Sequence, residues 1–277
     1  RVNSTNEGLM LIKNIRSGRH YINNDVDSFV LVDMGVDSRN MHICSTILKN
    51  AEVRDGHCHE LNDQVYLILS GTGEIEVGSF KGTITGGTAL WIPPGEYHQI
   101  SNAGKKELEY VWVANSISKY YPFNRRRQES YYKTGFRSGS IFVEKGHVRY
   151  HILSKMNSSR WINVSTIVLD HDNIKPHMKR VLVDTAFLVT SGKGVVTVDD
   201  ETGHINKNDL VLARKGQKVF IENDSDDDLE YLEITCKAGR NILSDGLEYI
   251  MRLFCSIIML AGGWIVYYQR KILQYMN

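Results

Sequence analysis

Apolar and polar residues alternate with a period of two along much of this chain, as in Glu74-Ile75-Glu76-Val77 and Val195-Val196-Thr197-Val198. Such alternation sends successive side chains to opposite faces of a strand. Glycine turns separate the alternating segments, so the pattern predicts an all-β chain. The pattern also repeats. Gln64-Val-Tyr-Leu-Ile-Leu-Ser-Gly-Thr-Gly73 aligns with Thr185-Ala-Phe-Leu-Val-Thr-Ser-Gly-Lys-Gly194 at an offset of 121. The same offset carries Gly95 to Gly216, Asn102 to Asn223, and Leu108-Glu109-Tyr110 to Leu229-Glu230-Tyr231. Ser45-Thr46-Ile47 aligns with Ser165-Thr166-Ile167 at 120, which implies a one-residue insertion between the two registers. A period this long with two copies predicts two tandem barrels rather than a solenoid.

The tail breaks the pattern. Leu253 to Tyr268 is uncharged over 16 residues and ends at Gln269-Arg270-Lys271. It falls short of the ~18–20 apolar residues of a spanning helix. The expectation is an apolar terminal helix packed on a barrel or on a dimer mate, with a membrane anchor as the alternative. The expected division is a first barrel over 1–118, a linker over 119–145, a second barrel over 146–240 and the apolar helix over 241–277. The linker contains Asn124-Arg-Arg-Arg-Gln128 between aromatics, read as a solvated basic segment or as a lid for an anionic substrate.

Composition narrows the class. With 42% hydrophobic and 23% charged residues the chain is an ordinary globular protein. A net charge of +1 gives no bulk attraction for nucleic acid. Cys44, Cys58, Cys236 and Cys255 show no CxxC spacing, which fits reduced thiols and a cytoplasmic location. A homodimer is a further expectation.

The candidate chemistry lies between His57 and Asn102. The spacing reads His57-x-His59-x4-Gln64-x6-Gly71, then Gly87-x5-Pro93-x-Gly95-x2-His98-x3-Asn102. His57 and His59 share one face of a strand, and Cys58 points the other way. Three imidazoles and one amide oxygen can converge on one metal ion. This spacing resembles the two motifs of the cupin superfamily. The second motif is matched without a gap. The first departs at its leading glycine and at Gln64, where glutamate is usual.

The resemblance implies tandem cupin jelly rolls with metal ligands His57, His59, Gln64 and His98. It implies structural roles for Gly71, Gly87, Pro93, Gly95 and Asn102. The second copy keeps one candidate ligand: His177 aligns with His57, but Lys179, Thr185 and Val219 align with His59, Gln64 and His98. The first barrel is therefore expected to hold the only metal, one divalent ion of Fe, Mn, Zn, Ni or Co. Four neutral ligands leave that ion its full charge and favour an anionic, oxygen-rich small molecule. Tyr66, two residues after Gln64, is the candidate acid or base, with a packing aromatic as the alternative. The expected function is a metal-dependent cupin enzyme, with dioxygenase, isomerase, lyase and cyclase chemistry all open. The alternative is a metal-anchored binding or sensing protein without turnover.

Overall fold

The computed structural model describes residues 10–23, 26–116, 131–144, 147–155, 158–159, 161–171 and 177–237, which all lie in one compact unit. Among them every regular element is a strand, and no helix is long and apolar enough to cross a membrane. The expected terminal helix and the basic stretch 124–128 lie outside the described residues.

In chain order the first strands are β1 (Leu11–Asn14), β2 (Arg19–Asn23), β3 (Val26–Val32), β4 (His42–Leu48), β5 (Val53–His57) and β6 (Asn62–Ser70). They continue with β7 (Thr72–Val77), β8 (Phe80–Thr85), β9 (Thr88–Ile92), β10 (His98–Asn102) and β11 (Leu108–Ser116). Then come β12 (Tyr132–Gly135), β13 (Ser140–Glu144), β14 (His147–Leu153), β15 (Ile162–Leu169), β16 (His177–Arg180) and β17 (Thr185–Ser191). The last are β18 (Lys193–Val198), β19 (Glu201–Asn206), β20 (Asp209–Ala213), β21 (Lys218–Asn223) and β22 (Leu229–Cys236).

These strands make two jelly-roll barrels, each a seven-stranded sheet against a four-stranded one. The first barrel has the orders β12-β9-β6-β11-β4-β3-β2 and β5-β10-β7-β8. The second has β1-β20-β17-β22-β15-β14-β13 and β16-β21-β18-β19. The orders superimpose strand for strand under the sequence offset, with one exchange. β1, from the start of the chain, is the edge strand of the second barrel, with Leu11 opposite Leu212. β12 fills the same edge of the first barrel, with Tyr132 opposite Trp91. Residues 132–135 and 140–144, expected as linker, are therefore strands, and the sheets do not follow a division at 118 and 146. Four- and five-residue strands carry too few alternations to register in the sequence.

The period-two pattern explains the core. In β6 and β11, Val65, Leu67, Val111 and Val113 point one way, into a cluster shared with Ile162, Val164, Leu188, Leu232 and Ile234 of the second barrel. Tyr66, Ile68 and Tyr110 point the other way, into the interior of the first barrel. Both faces are buried, so the stretch Val65–Ile68 is continuously apolar. The second barrel repeats this, with Phe187, Val189 and Tyr231 inside.

Asp63 sits at the seam between the barrels, 2% exposed. It accepts hydrogen bonds from the Trp91 indole Nε1 and from the Ser159 hydroxyl. Burial pushes its carboxyl up to about 6, against the lowering effect of Ser159, Trp91 and the Trp161 backbone. A carboxyl raised on folding stabilises the fold when protonated. That contribution is complete below the unfolded value of ~4 and is lost as pH rises through about 6. Urea unfolding should therefore show a loss on the order of 2–3 kcal/mol between pH 4 and pH 7 that Asp63→Asn removes. Parallel pH profiles for the two proteins would refute this.

Candidate metal centre

The site is assembled on β5, β6, β10 and the loop after β5. His57 ends β5 and faces His98, the first residue of β10. The two imidazole centroids are 4.5 Å apart, and His59 lies 4.7 Å from His57 and 5.5 Å from His98. Ligand nitrogens of all three histidines come within 4.8 Å of one another. His57 Nδ1–H donates to the Asp55 carbonyl at 2.7 Å, and His98 Nδ1–H to the Glu96 carbonyl at 3.0 Å. These bonds fix the tautomer and leave each Nε2 as the lone-pair nitrogen. Burial lowers His59 and takes His98 down to about 4, so both rings are neutral donors near pH 7.

Gln64 lines the same cavity as His57 and His59. Two buried atoms here have no hydrogen-bond partner among the described residues, Gln64 Oε1 and His98 Nε2. An unpaired buried acceptor costs about 1–3 kcal/mol. Two acceptors without donors, beside two further imidazoles, are the arrangement a cation would satisfy, and the residues present fit a divalent transition metal.

The glycines and the proline of the spacing sit at turns. Gly87 has φ of 85° at the turn into β9, and the matching position of the second barrel, Asn208, has φ of 73°. Both are conformations that bulky residues avoid. Gly71 and Gly95 also have positive φ, and Pro93 is buried in the Pro93-Pro94-Gly95 turn. Ala51, six residues before His57, adopts φ of 62° without being glycine. Asn102 Nδ2 donates to the Leu48 and Lys106 carbonyls, each at 2.8 Å, and its Oδ1 accepts from Gly104 N at 2.8 Å. That amide ties β4 to the turn after β10 and has no role at the histidines.

Tyr66 faces the barrel interior, stacked on Tyr110 at 5.2 Å and edge-on to His98 at 5.9 Å. Burial raises its phenol well above the usual value, so it is a hydrogen-bond donor at neutral pH. The cavity beside the histidines holds about 650 Å³ and crosses the inner face of the sheet to Tyr21, His42 and Trp112. Arg54, three residues before His57, lines it too. Its charge acts on His59, His98, Tyr66 and Tyr110. Sequence reasoning missed Arg54; the available signal was a basic residue on the strand that delivers His57. Cys58 is exposed and is not part of the histidine cluster.

Among the described residues the second barrel has no such histidine cluster, but its correspondence needs correcting. His98 pairs with His57, and Val219, its equivalent, pairs with Lys179. Ile100 pairs with Arg54, and Ile221 pairs with His177. Lys179 thus takes the place of His57, and His177 that of Arg54. The shift arises from a bulge between His98 and Ile100 that the second ladder lacks.

Residues 45–114 match the family model described as "Cupin domain". No curated protein matches the chain. Among solved structures, protein Ylba from E. coli is 12% identical, with a TM-score of 0.71 over 85% of this chain and 93% of that one. A variant of oxalate decarboxylase from Bacillus subtilis is 13% identical, with a TM-score of 0.61 over 82% of this chain and 77% of that one. A further structure of the same decarboxylase, described by its Mn(II) centres, is 13% identical, with a TM-score of 0.62 over 83% of this chain and 78% of that one. The described residues thus have the cupin fold, and the histidine cluster lies in the segment that matches the cupin domain.

Proposed function

We propose that the first barrel binds one divalent transition metal through His57, His59, His98 and Gln64, and that the chain is a bicupin enzyme for a small, oxygen-rich anionic substrate. The observation that carries the reading is the pair of orphaned acceptors, Gln64 Oε1 and His98 Nε2, beside two further imidazoles. The Mn(II) centres named for the fold neighbour agree with a metal, though not with a particular one. When bound, the ion supplies Lewis acidity and sites for substrate oxygens or O₂.

The chain's own residues then have separable tasks. Arg54 attracts an anion into the cavity and orients it toward the histidines. The Tyr66 phenol, protonated and rigidly stacked, donates a hydrogen bond or a proton to a substrate oxygen. Ile92, Ile100 and Tyr110 close the inner wall and keep bulk water from that end. Gln64 in place of a carboxylate leaves the site more positive, which strengthens its hold on an anionic substrate oxygen.

The decisive experiment is metal analysis of protein purified without added metal, then an oxygen-uptake and product screen with α-hydroxy acids, α-keto acids and enediols. About one ion per chain with turnover of one of these classes is the expected result. One ion with ligand binding and no turnover would make the protein a metal-anchored binding module. No ion would end the proposal. The role of Gln64 has its own readout. In Co²⁺-substituted protein, Gln64→Glu should change the visible spectrum, raise the titration midpoint of the metal's water, and weaken an anionic inhibitor about tenfold. Identical spectra and midpoints would remove Gln64 from the ligand set.

A further inference from the structure

The second barrel puts charge where the first has its cavity. Glu233 on β22 lies opposite Ser165, the position that Trp112, opposite Cys44, holds in the first barrel. Lys179, in the place of His57, donates from Nζ to Glu233 Oε1 at 2.6 Å. Arg149 on β14 donates from Nη1 to the same oxygen at 3.1 Å. The other oxygen, Oε2, is buried and has no hydrogen-bond partner among the described residues. Glu233 as a whole is 6% exposed. Behind it His177 shares a hydrogen bond with the Tyr231 hydroxyl, and Phe187 packs against Tyr231.

This carboxylate is lopsided. One oxygen takes both cations and the other takes nothing, at a cost that a donor would remove. Glu233 engages one of the three N–H groups of Lys179 and one of the five of Arg149. The cluster opens to solvent on the lysine side, where the Lys179 side chain is 30% exposed against 13% for Arg149 and 7% for Glu233. A metal ion does not suit a site with two cations in it. A simple carboxylic acid would suit the cations and leave Oε2 bare.

We propose that this cluster is a metal-independent binding site for a small carboxylic acid bearing an adjacent hydroxyl or ammonium group. Its carboxylate is held by Lys179 and Arg149, and its hydroxyl or ammonium donates to Glu233 Oε2. The two barrels of one chain then recognise oxygen-rich acids by different means, one through neutral metal ligands and one through fixed charges. The site requires nothing of the first barrel.

The test uses the full chain with His59→Ala and chelator treatment, so that acids cannot bind through a metal. Calorimetry with glycolate, glycine and acetate is the measurement. Glycolate should bind about tenfold more tightly than acetate, the worth of one hydrogen bond to a charged group. Lys179→Gln, which keeps a donor to Glu233, should weaken glycolate at least about tenfold, and Glu233→Gln should bring the glycolate-to-acetate ratio to about one. Equal binding of acetate and glycolate, or no binding of either, overturns the proposal, since a water would then satisfy Oε2. So does glycolate binding that Lys179→Gln leaves unchanged, which would assign the acid to the Arg54 cavity. If Lys179→Gln does not fold, Glu233→Gln decides: a glycolate-to-acetate ratio that it leaves unchanged overturns the proposal.

Discussion

Replacing His98 by alanine should take metal content from about one ion per chain to near zero and abolish any rise in melting temperature on adding metal. His98 is 2% exposed, its Nδ1–H is fixed on the Glu96 carbonyl, and its Nε2 has no partner among the described residues. As a direct ligand, its loss should weaken the metal by more than ~100-fold, beyond the 10–100-fold of an outer-shell change. Linkage makes the thermal effect a second readout: an ion bound at 100 times its dissociation constant adds ~2.7 kcal/mol to stability, and His98→Ala should lose that increment. Metal-free protein carrying the substitution should melt close to metal-free parent, because the change relieves an orphaned acceptor as well as removing packing. Unchanged metal stoichiometry in His98→Ala would separate the histidine cluster from metal binding altogether.

The largest effect on stability without any ligand should come from Glu233→Ala. It leaves Lys179 and Arg149 in a largely buried site without the carboxylate they share. Breaking a buried pair by removing one partner costs about 3–5 kcal/mol. Burial pushes the Glu233 carboxyl up, but Lys179 and Arg149 together bring it below the ordinary range. A carboxyl lowered on folding stabilises above its unfolded value of ~4.3, and the contribution fades as pH falls through the folded value. Urea melts at pH 7 should therefore separate Glu233→Ala from parent by several kcal/mol, and melts at a pH low enough to protonate Glu233 in the folded chain should bring them together. Replacing the whole triad in one chain, with Arg149→Met, Lys179→Met and Glu233→Leu combined, should recover most of the loss, since a packed apolar trio avoids desolvation. A gap between Glu233→Ala and parent that persists unchanged at low pH would assign the cost to lost packing instead.

Much of this was legible in the sequence, for reasons that differ by feature. Alternation in Glu74–Val77 and Val195–Val198 identified strands because those segments have one buried and one exposed face. The duplication was readable because positive-φ positions and turn amides, such as Asn102 and Asn223, tolerate few residues. Asn223 repeats the bonds of Asn102, donating to Leu169 O at 3.2 Å and Asp227 O at 2.7 Å. The histidines were readable because their spacing maps onto strand ends. The exchange of β1 and β12 was not, since pairing between Leu11 and Leu212 leaves no local trace. Arg54 and the ion triad were hidden for another reason. Each depends on which residues meet across strands, and the bulge after His98 shifts that register by a residue that no offset in the sequence reports.

The edge strands have a consequence for how the chain matures. A ribosome releases β1 first, yet its partner β20 is about two hundred residues away. The first barrel, for its part, cannot close its β9 edge until residues 132–135 emerge. The first barrel is complete by residue 135, before β13–β22 of the second have been made, and β1 waits without its partner until β20 emerges, an unpaired strand of the kind that invites pairing with another chain. A gene cut between β11 and β12 would leave each half with the other's edge strand: the front half would carry β1 with nothing to pair it, and the back half would carry β12 and lack β1. The two halves expressed together should reassociate by trading those strands, as a lock whose keys were issued to the opposite doors.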